Sequence, residues 1–309
     1  MNLEQVKPDI NKLPIDFEDL EYALWRYDKG ENRYYYRMVG GEQLAYLSAT
    51  SFCSMSLGIS HGLYKWGVSM GEEAAKAYSQ MRADYGTMMH IEIVNAVLNG
   101  GHDFDDLWEI GYTTAIDKGY KYAAETWADD LPRDVAAFLK FLQERNAKVI
   151  FAELPVYSPT WLVAGCIDLG MELDFGKTRV NAIVDMKSGR KGFFKDHELQ
   201  LNIYKTVWNE RFSELWPVTH VFNWAPTDWR AKPKKDPADW PAYKLANQTK
   251  SVFSKSVEDR LRIGLKEDWM NPPKGDLRLS GKFNINEFDL GEHISLTEFR
   301  MGSEVPEED

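Results

Sequence analysis

Asp168, Asp185 and Lys187 are the residues of this chain whose types and spacing point most directly to chemistry. Phe175-Gly176-Lys177-Thr178 reads as a two-residue hairpin turn, with glycine at the first central position as a type II′ turn prefers. Pairing then runs outward from Phe175 opposite Thr178, which sets Asp174 opposite Arg179 and Asp168 directly opposite Asp185. Side chains alternate between faces along a strand. One face collects Ile167, Leu169, Met171, Leu173, Phe175, Val180, Ala182, Val184 and Met186. The other carries Cys166, Asp168, Gly170, Glu172 and Asp174 with Arg179, Asn181, Ile183, Asp185 and Lys187. The clean apolar face supports this register, and so does the opposite-charge pair Asp174–Arg179. Two carboxylates facing each other at about 4.5–5.5 Å between Cβ atoms repel. Solvation, a salt bridge to Lys187, or a divalent metal that takes hard carboxylate oxygens would each offset that repulsion.

The flanking elements must hold these groups. Val149 to Tyr157 reads as a strand, Trp161 to Lys187 as the hairpin, Asp196 to Phe212 as a helix with Leu199, Ile203 and Val207 in its apolar stripe, and Val218 to Ala225 as another strand. Upstream, residues 71 to 99 read as helix interrupted near Gly86, with His90, Val94 and Val97 on one face. Phe104 to Asn146 reads as further helix, broken at Asp129-Asp130-Leu131-Pro132. Residues 1 to 45 read as a lead with short helices and a Tyr34-Tyr35-Tyr36 run better suited to packing than to base stacking. Leu245 to Asp268 reads as helix, ending before Asn271-Pro272-Pro273. The fold class is therefore α/β, a central mixed β-sheet flanked by helices, with a helical N-terminal elaboration. The expected units are an N-terminal lead over 1–47, a main domain over 48–270 and a C-terminal extension with an acidic tail over 271–309.

Asp168, then Asp185-Met186-Lys187, then Gln200-Leu201-Asn202-Ile203-Tyr204 resembles the PD-(D/E)XK nuclease superfamily, in particular its RecB-like exonuclease branch, whose pattern is G-x-x-D, D-x-K and Q-x-x-x-Y. Gly165-Cys166-Ile167-Asp168 fits the first element. Gly86-Thr87-Met88-Met89-His90 resembles the branch's helical histidine motif, and Glu153 matches the glutamate on the strand before the hairpin. Ser48-Ala49-Thr50-Ser51 and Trp66 resemble the amino-terminal portion of phage members. The likeness spans roughly residues 48 to 225, with each motif in the expected order. It implies an αβββαβ restriction-endonuclease-like core and a metal-dependent DNA exonuclease serving recombination, repair or phage genome processing. An endonuclease of the same superfamily, and a non-catalytic DNA-binding or assembly protein that keeps the fold, are the alternatives.

The resemblance also implies roles. Asp168 and Asp185 would hold Mg²⁺ or Mn²⁺, joined by His90, by the backbone carbonyl of Met186 and by Glu153 as a further candidate. Lys187 would stabilise developing negative charge. Gln200 would brace that lysine or a phosphate, and Tyr204 would touch the DNA backbone. From the residues alone, His90 also fits a core histidine, Glu153 a surface strand residue, and Tyr204 a packing residue. Some relatives hold an iron–sulfur cluster on four cysteines. Here only Cys53 and Cys166 exist, so no such cluster is expected.

Composition sets limits. The net charge of −11 argues against a general nucleic-acid coat protein. Yet Phe175 to Lys235 holds twelve Lys/Arg against six Asp/Glu, which can focus a local positive field. Within it, Arg190, Lys191 and Lys195, spaced with Gly189 and Gly192, read as a phosphate-contacting loop. Arg230, Lys232, Lys234 and Lys235 form a second basic loop. Two cysteines make neither a disulfide framework nor a zinc pattern. No signal peptide or bilayer-spanning run is legible, so a cytoplasmic location is expected. DNA is the expected partner, with a single-strand annealing protein as a candidate second one; no membrane is expected, and an oligomer is left open.

Overall fold

The computed structural model describes residues 25–29, 32–39, 42–189, 192–228, 242–267 and 269. It is an α/β fold in which one mixed eight-stranded sheet is covered on both faces by helices. The chain opens with a meander, β1 (Trp25–Lys29), β2 (Asn32–Val39) and β3 (Glu42–Ser48), followed by α1 (Ala49–Leu57), α2 (His61–Met70), α3 (Glu72–Asn99), α4 (Phe104–Asp117) and α5 (Ala124–Glu144). Then come β4 (Lys148–Ser158), β5 (Val163–Asp174), β6 (Arg179–Met186), α6 (Lys195–Phe212), β7 (His220–Pro226), β8 (Tyr243–Asn247) and α7 (Val257–Lys266).

The hairpin pairs as its turn dictates: Asp174 lies opposite Arg179, and the ladder runs through Leu169 opposite Val184. It stops there, one step short of Asp168 and Asp185. The cause is competition for one edge of β5. β4 pairs with β5 between Val163 and Glu172 and so takes one edge. The other edge is shared. β3 runs parallel to its beginning, Leu47 with Val163 and Ser48 with Ala164, and β6 holds its end. β6 meanwhile follows β7 in parallel, with Asp185 beside Asn223 and Met186 beside Trp224. The sheet therefore forks at Asp168.

Strict alternation also fails at the fork. Leu169, Met171 and Leu173 join the core under α3, α4 and α5, whereas Ile167 joins the opposite core with α1, α6 and α7. The neighbouring strand swaps faces at the matching place, because Ala152 belongs to the first core and Leu154 to the second. Between them Glu153 has a left-handed backbone, φ 49°. A β4 register shift lies just upstream, between Val149 and Phe151. Such irregularities re-aim side chains and gather beside functional sites.

Four expectations about elements are corrected. The lead expected to carry short helices contains β1 to β3, with Tyr34 and Tyr35 buried in the α6-side core. Gly86 does not interrupt α3; it lets the helix approach the end of β6, since an added Cβ would sit 3.0 Å from Ser188 Oγ. Pro132 lies inside α5, which continues because its buried face of Trp127, Leu131, Val135 and Phe138 outweighs the lost backbone bond. The real break is at 118–123, between α4 and α5. Finally, the segment from Leu245 begins as β8, and only Val257–Lys266 is α-helix.

Candidate metal centre

At the fork the backbone of β6 and the side chain of β5 meet. Asp168 Oδ2 accepts the N–H of Met186 at 2.7 Å, satisfying a donor that the interrupted ladder leaves without a strand partner on that side. α3 crosses the same point, where its Arg82 guanidinium donates to the Ser188 carbonyl at 3.0 Å. Two turns along, His90 Nε2 lies 2.9 Å from the Met186 carbonyl. That carbonyl can only accept, so Nε2 carries the proton and Nδ1 faces the other way, 3.8 Å from both Glu153 Oε1 and Asp168 Oδ2. His90, Glu153 and Asp168 each place one ligand atom within 4.8 Å of the others. A histidine that donates one ring N–H to a carbonyl and turns its other nitrogen to a set of carboxylates has the arrangement of metal-ligating histidines. One imidazole nitrogen with carboxylate oxygens suits Mg²⁺ or Mn²⁺.

Burial alone would lower the His90 pKa, but the carboxylates of Asp168 and Glu153 prevail and push it up to about 9. Burial pushes Asp168 up to about 7, with Asp185 and Glu153 adding to the rise and His90 opposing it. The proton on His90 Nδ1 thus stands where a cation would sit. Mn²⁺ binding is accordingly expected to release protons and to weaken as pH falls, because Asp168 carries a proton below about 7 and His90 below about 9. Between about pH 8 and about pH 6 the apparent affinity should drop by roughly 100-fold or more, because displacing the His90 proton alone costs about tenfold per pH unit there. Calorimetric titrations in buffers of different ionisation enthalpy check this; an affinity indifferent to pH would place the cation elsewhere.

The D-x-K end forms a second cluster. Lys187 Nζ donates to Asp185 Oδ1 at 2.8 Å and to Gln200 Oε1 at 3.3 Å. Burial works against its charge, but Asp185 and Asp168 hold the ammonium above the usual lysine range. Gln200, on α6, donates in turn to the Tyr204 hydroxyl at 3.1 Å and to Thr50 Oγ1 at 3.4 Å. Thr50 is delivered by α1, whose N-cap Ser48 accepts from the Ser51 N–H. The Ser48-to-Ser51 stretch therefore packs onto the site from the end of β3.

The expected residues are thus brought together in two groups. Asp185 sits with Lys187, outside the His90–Glu153–Asp168 set. The Met186 carbonyl, expected to face a cation, accepts from His90. Tyr204, expected at the DNA backbone, is only 4% exposed. It packs on Gly165, where an added Cβ would lie 2.6 Å from its Cε1. Lys195 is exposed at the start of α6, while Arg190, Lys191, Arg230, Lys232, Lys234 and Lys235 lie outside the described residues.

Sequence reasoning missed Asn223. It is fully buried on β7 and donates from Nδ2 to Asp185 Oδ2 at 2.7 Å. Its signal was a single amide within the apolar run Val221-Phe222-Asn223-Trp224-Ala225. Comparison with known proteins finds no matching family model and no matching curated protein. No helix among the described residues is long and apolar enough to cross a membrane.

Proposed function

We propose that this chain is a metal-dependent DNA nuclease of the PD-(D/E)XK type, acting as an exonuclease. The observation that carries the reading is the convergence at the sheet fork. His90, Glu153 and Asp168 gather there, and Asp168 is bonded to the backbone between Asp185 and Lys187. The run α5–β4–β5–β6–α6–β7 has the order αβββαβ that the resemblance implies. A bound Mg²⁺ or Mn²⁺ supplies polarisation of the scissile phosphate and a lower pKa for the attacking water.

The chain's own residues do the rest. His90, Glu153 and Asp168 hold the cation, and Asp185, one residue from the Met186 N–H that Asp168 accepts, supplies a further carboxylate to it from the side of Lys187. A lysine kept above its usual pKa is a poor general base, so Lys187 acts by its charge, stabilising the oxygens that become more negative during in-line attack. Gln200 limits the swing of that ammonium, and Tyr204 and Thr50 limit the swing of Gln200.

The test is digestion of end-labelled linear duplex, linear single-stranded and closed circular DNA, with Mg²⁺ or Mn²⁺ and with chelator, alongside Asp185→Ala protein. Metal-dependent loss of linear DNA alone, abolished in the variant, is the expected result. Cutting of the circle would assign an endonuclease, and no cleavage under any condition would sink the enzymatic reading.

A further inference from the structure

Asn223 has no part in the motifs of the resemblance, yet it holds one of their two acids. We propose that it is the positioning residue of this site, and that Gln248 steadies its amide from the other side; this rests on the metal-dependent reading above. β6 and β7 run parallel with Asp185 and Asn223 side by side. The other core positions of this strand, Val221, Phe222, Trp224 and Ala225, are apolar, so packing alone does not call for an amide here. A buried amide is costly unless hydrogen-bonded, and this one spends its bonds on the site.

The direction of those bonds is forced. An ionised Asp185 can only accept, so Asn223 presents Nδ2 to it, at 2.7 Å. Asn223 Oδ1 then faces Gln248, whose Nε2 donates to it at 3.3 Å. Gln248 is itself 8% exposed and anchored through its backbone. Its N–H donates to the Val221 carbonyl at 2.9 Å, and its carbonyl accepts from Asn202 of α6 at 3.4 Å. Flipping the Asn223 amide would set oxygen against carboxylate oxygen on one side and NH₂ against NH₂ on the other. The donor chain Gln248→Asn223→Asp185 therefore has one sense. With Lys187 on Oδ1 and Asn223 on Oδ2, both oxygens of Asp185 are held and the carboxylate plane cannot turn. Removing Asn223 frees Oδ2 and leaves Lys187 alone on the carboxylate, which can then turn away from a bound cation.

Residues that orient metal ligands typically contribute about 10- to 100-fold in affinity. Calorimetric Mn²⁺ titration of the full chain without DNA should show a loss of that size in Asn223→Ala. A smaller loss is expected in Gln248→Leu, which leaves Asn223 bonded to Asp185 but removes the donor that holds its Oδ1. Steady-state digestion should show kcat falling with KM for DNA little changed. Mn²⁺ affinity of the folded variant equal to wild type would overturn the proposal, whatever happens to the melting temperature, since a merely structural amide would move only the latter. Should Asn223→Ala fail to fold, Gln248→Leu decides by the same measurement. Wild-type protein that binds no Mn²⁺ would overturn the metal reading and this one with it; wild-type binding with unaltered variants would overturn this one alone.

Discussion

Lys187→Gln is expected to slow cleavage of linear duplex DNA by about 100- to 1,000-fold, the scale on which single preorganised groups stabilise developing charge. The glutamine can still donate to Asp185, so the carboxylate keeps a partner and the fold is preserved; only the cation is lost. Mn²⁺ binding should be retained or tightened, because removing a neighbouring positive charge favours a bound cation. Single-turnover digestion with saturating Mn²⁺, paired with calorimetry, separates the two effects. A variant that cleaves at near wild-type rate would show that Lys187 is a structural partner of Asp185 and no more. A variant that loses metal would place Lys187 in the scaffold of the cation instead.

Gly165→Ala should destabilise the chain and disable the site together. The added methyl would sit 2.6 Å from Tyr204 Cε1, 2.8 Å from its hydroxyl oxygen and 3.1 Å from Cζ. The tyrosine lies in the buried core with Leu201, Ile203 and Val207 and cannot move without displacing them. Overpacking of this kind costs about 1–3 kcal/mol, which for a chain of this size lowers Tm by roughly 2–4 °C per kcal/mol. Displacing Tyr204 also removes the hydroxyl that receives the Gln200 amide, loosening the brace on Lys187. Adding Tyr204→Leu to Gly165→Ala opens the space again, so Tm should recover while digestion stays slow. Thermal melts and digestion assays on both singles and the double complete the cycle. Recovery of activity with Tm would mean that Tyr204 serves packing alone.

These expectations draw on two kinds of information. The register from Asp174–Arg179 to Leu169–Val184 was legible because a glycine turn and a period of two are local, and a one-residue slip would reverse every face. One step further the local pattern no longer holds. Strict alternation would carry Ile167 to the face of Leu169 and set Asp168 against Asp185, but there β5 pairs with β3 and β6 with β7. Helices suffered a related error. Gly86 and Pro132 were read by intrinsic propensity as breaks, but tertiary packing of α3 against Ser188 and of α5 against the sheet carries both helices through.

The sequence by itself determined the hairpin, the helix bearing Gln200 and Tyr204, the α/β class and most of the polar residues now gathered at the fork, since spacing and motif order survive without coordinates. Only the tertiary structure decided which carboxylates belong together. His90 and Glu153 join Asp168, while Asp185 goes to Lys187 and Asn223. The reason is physical. Periodicity encodes which face a side chain takes relative to its near neighbours, whereas the fork arises where the distant β3 and the hairpin partner β6 share one edge of β5. No local pattern records the outcome of that competition.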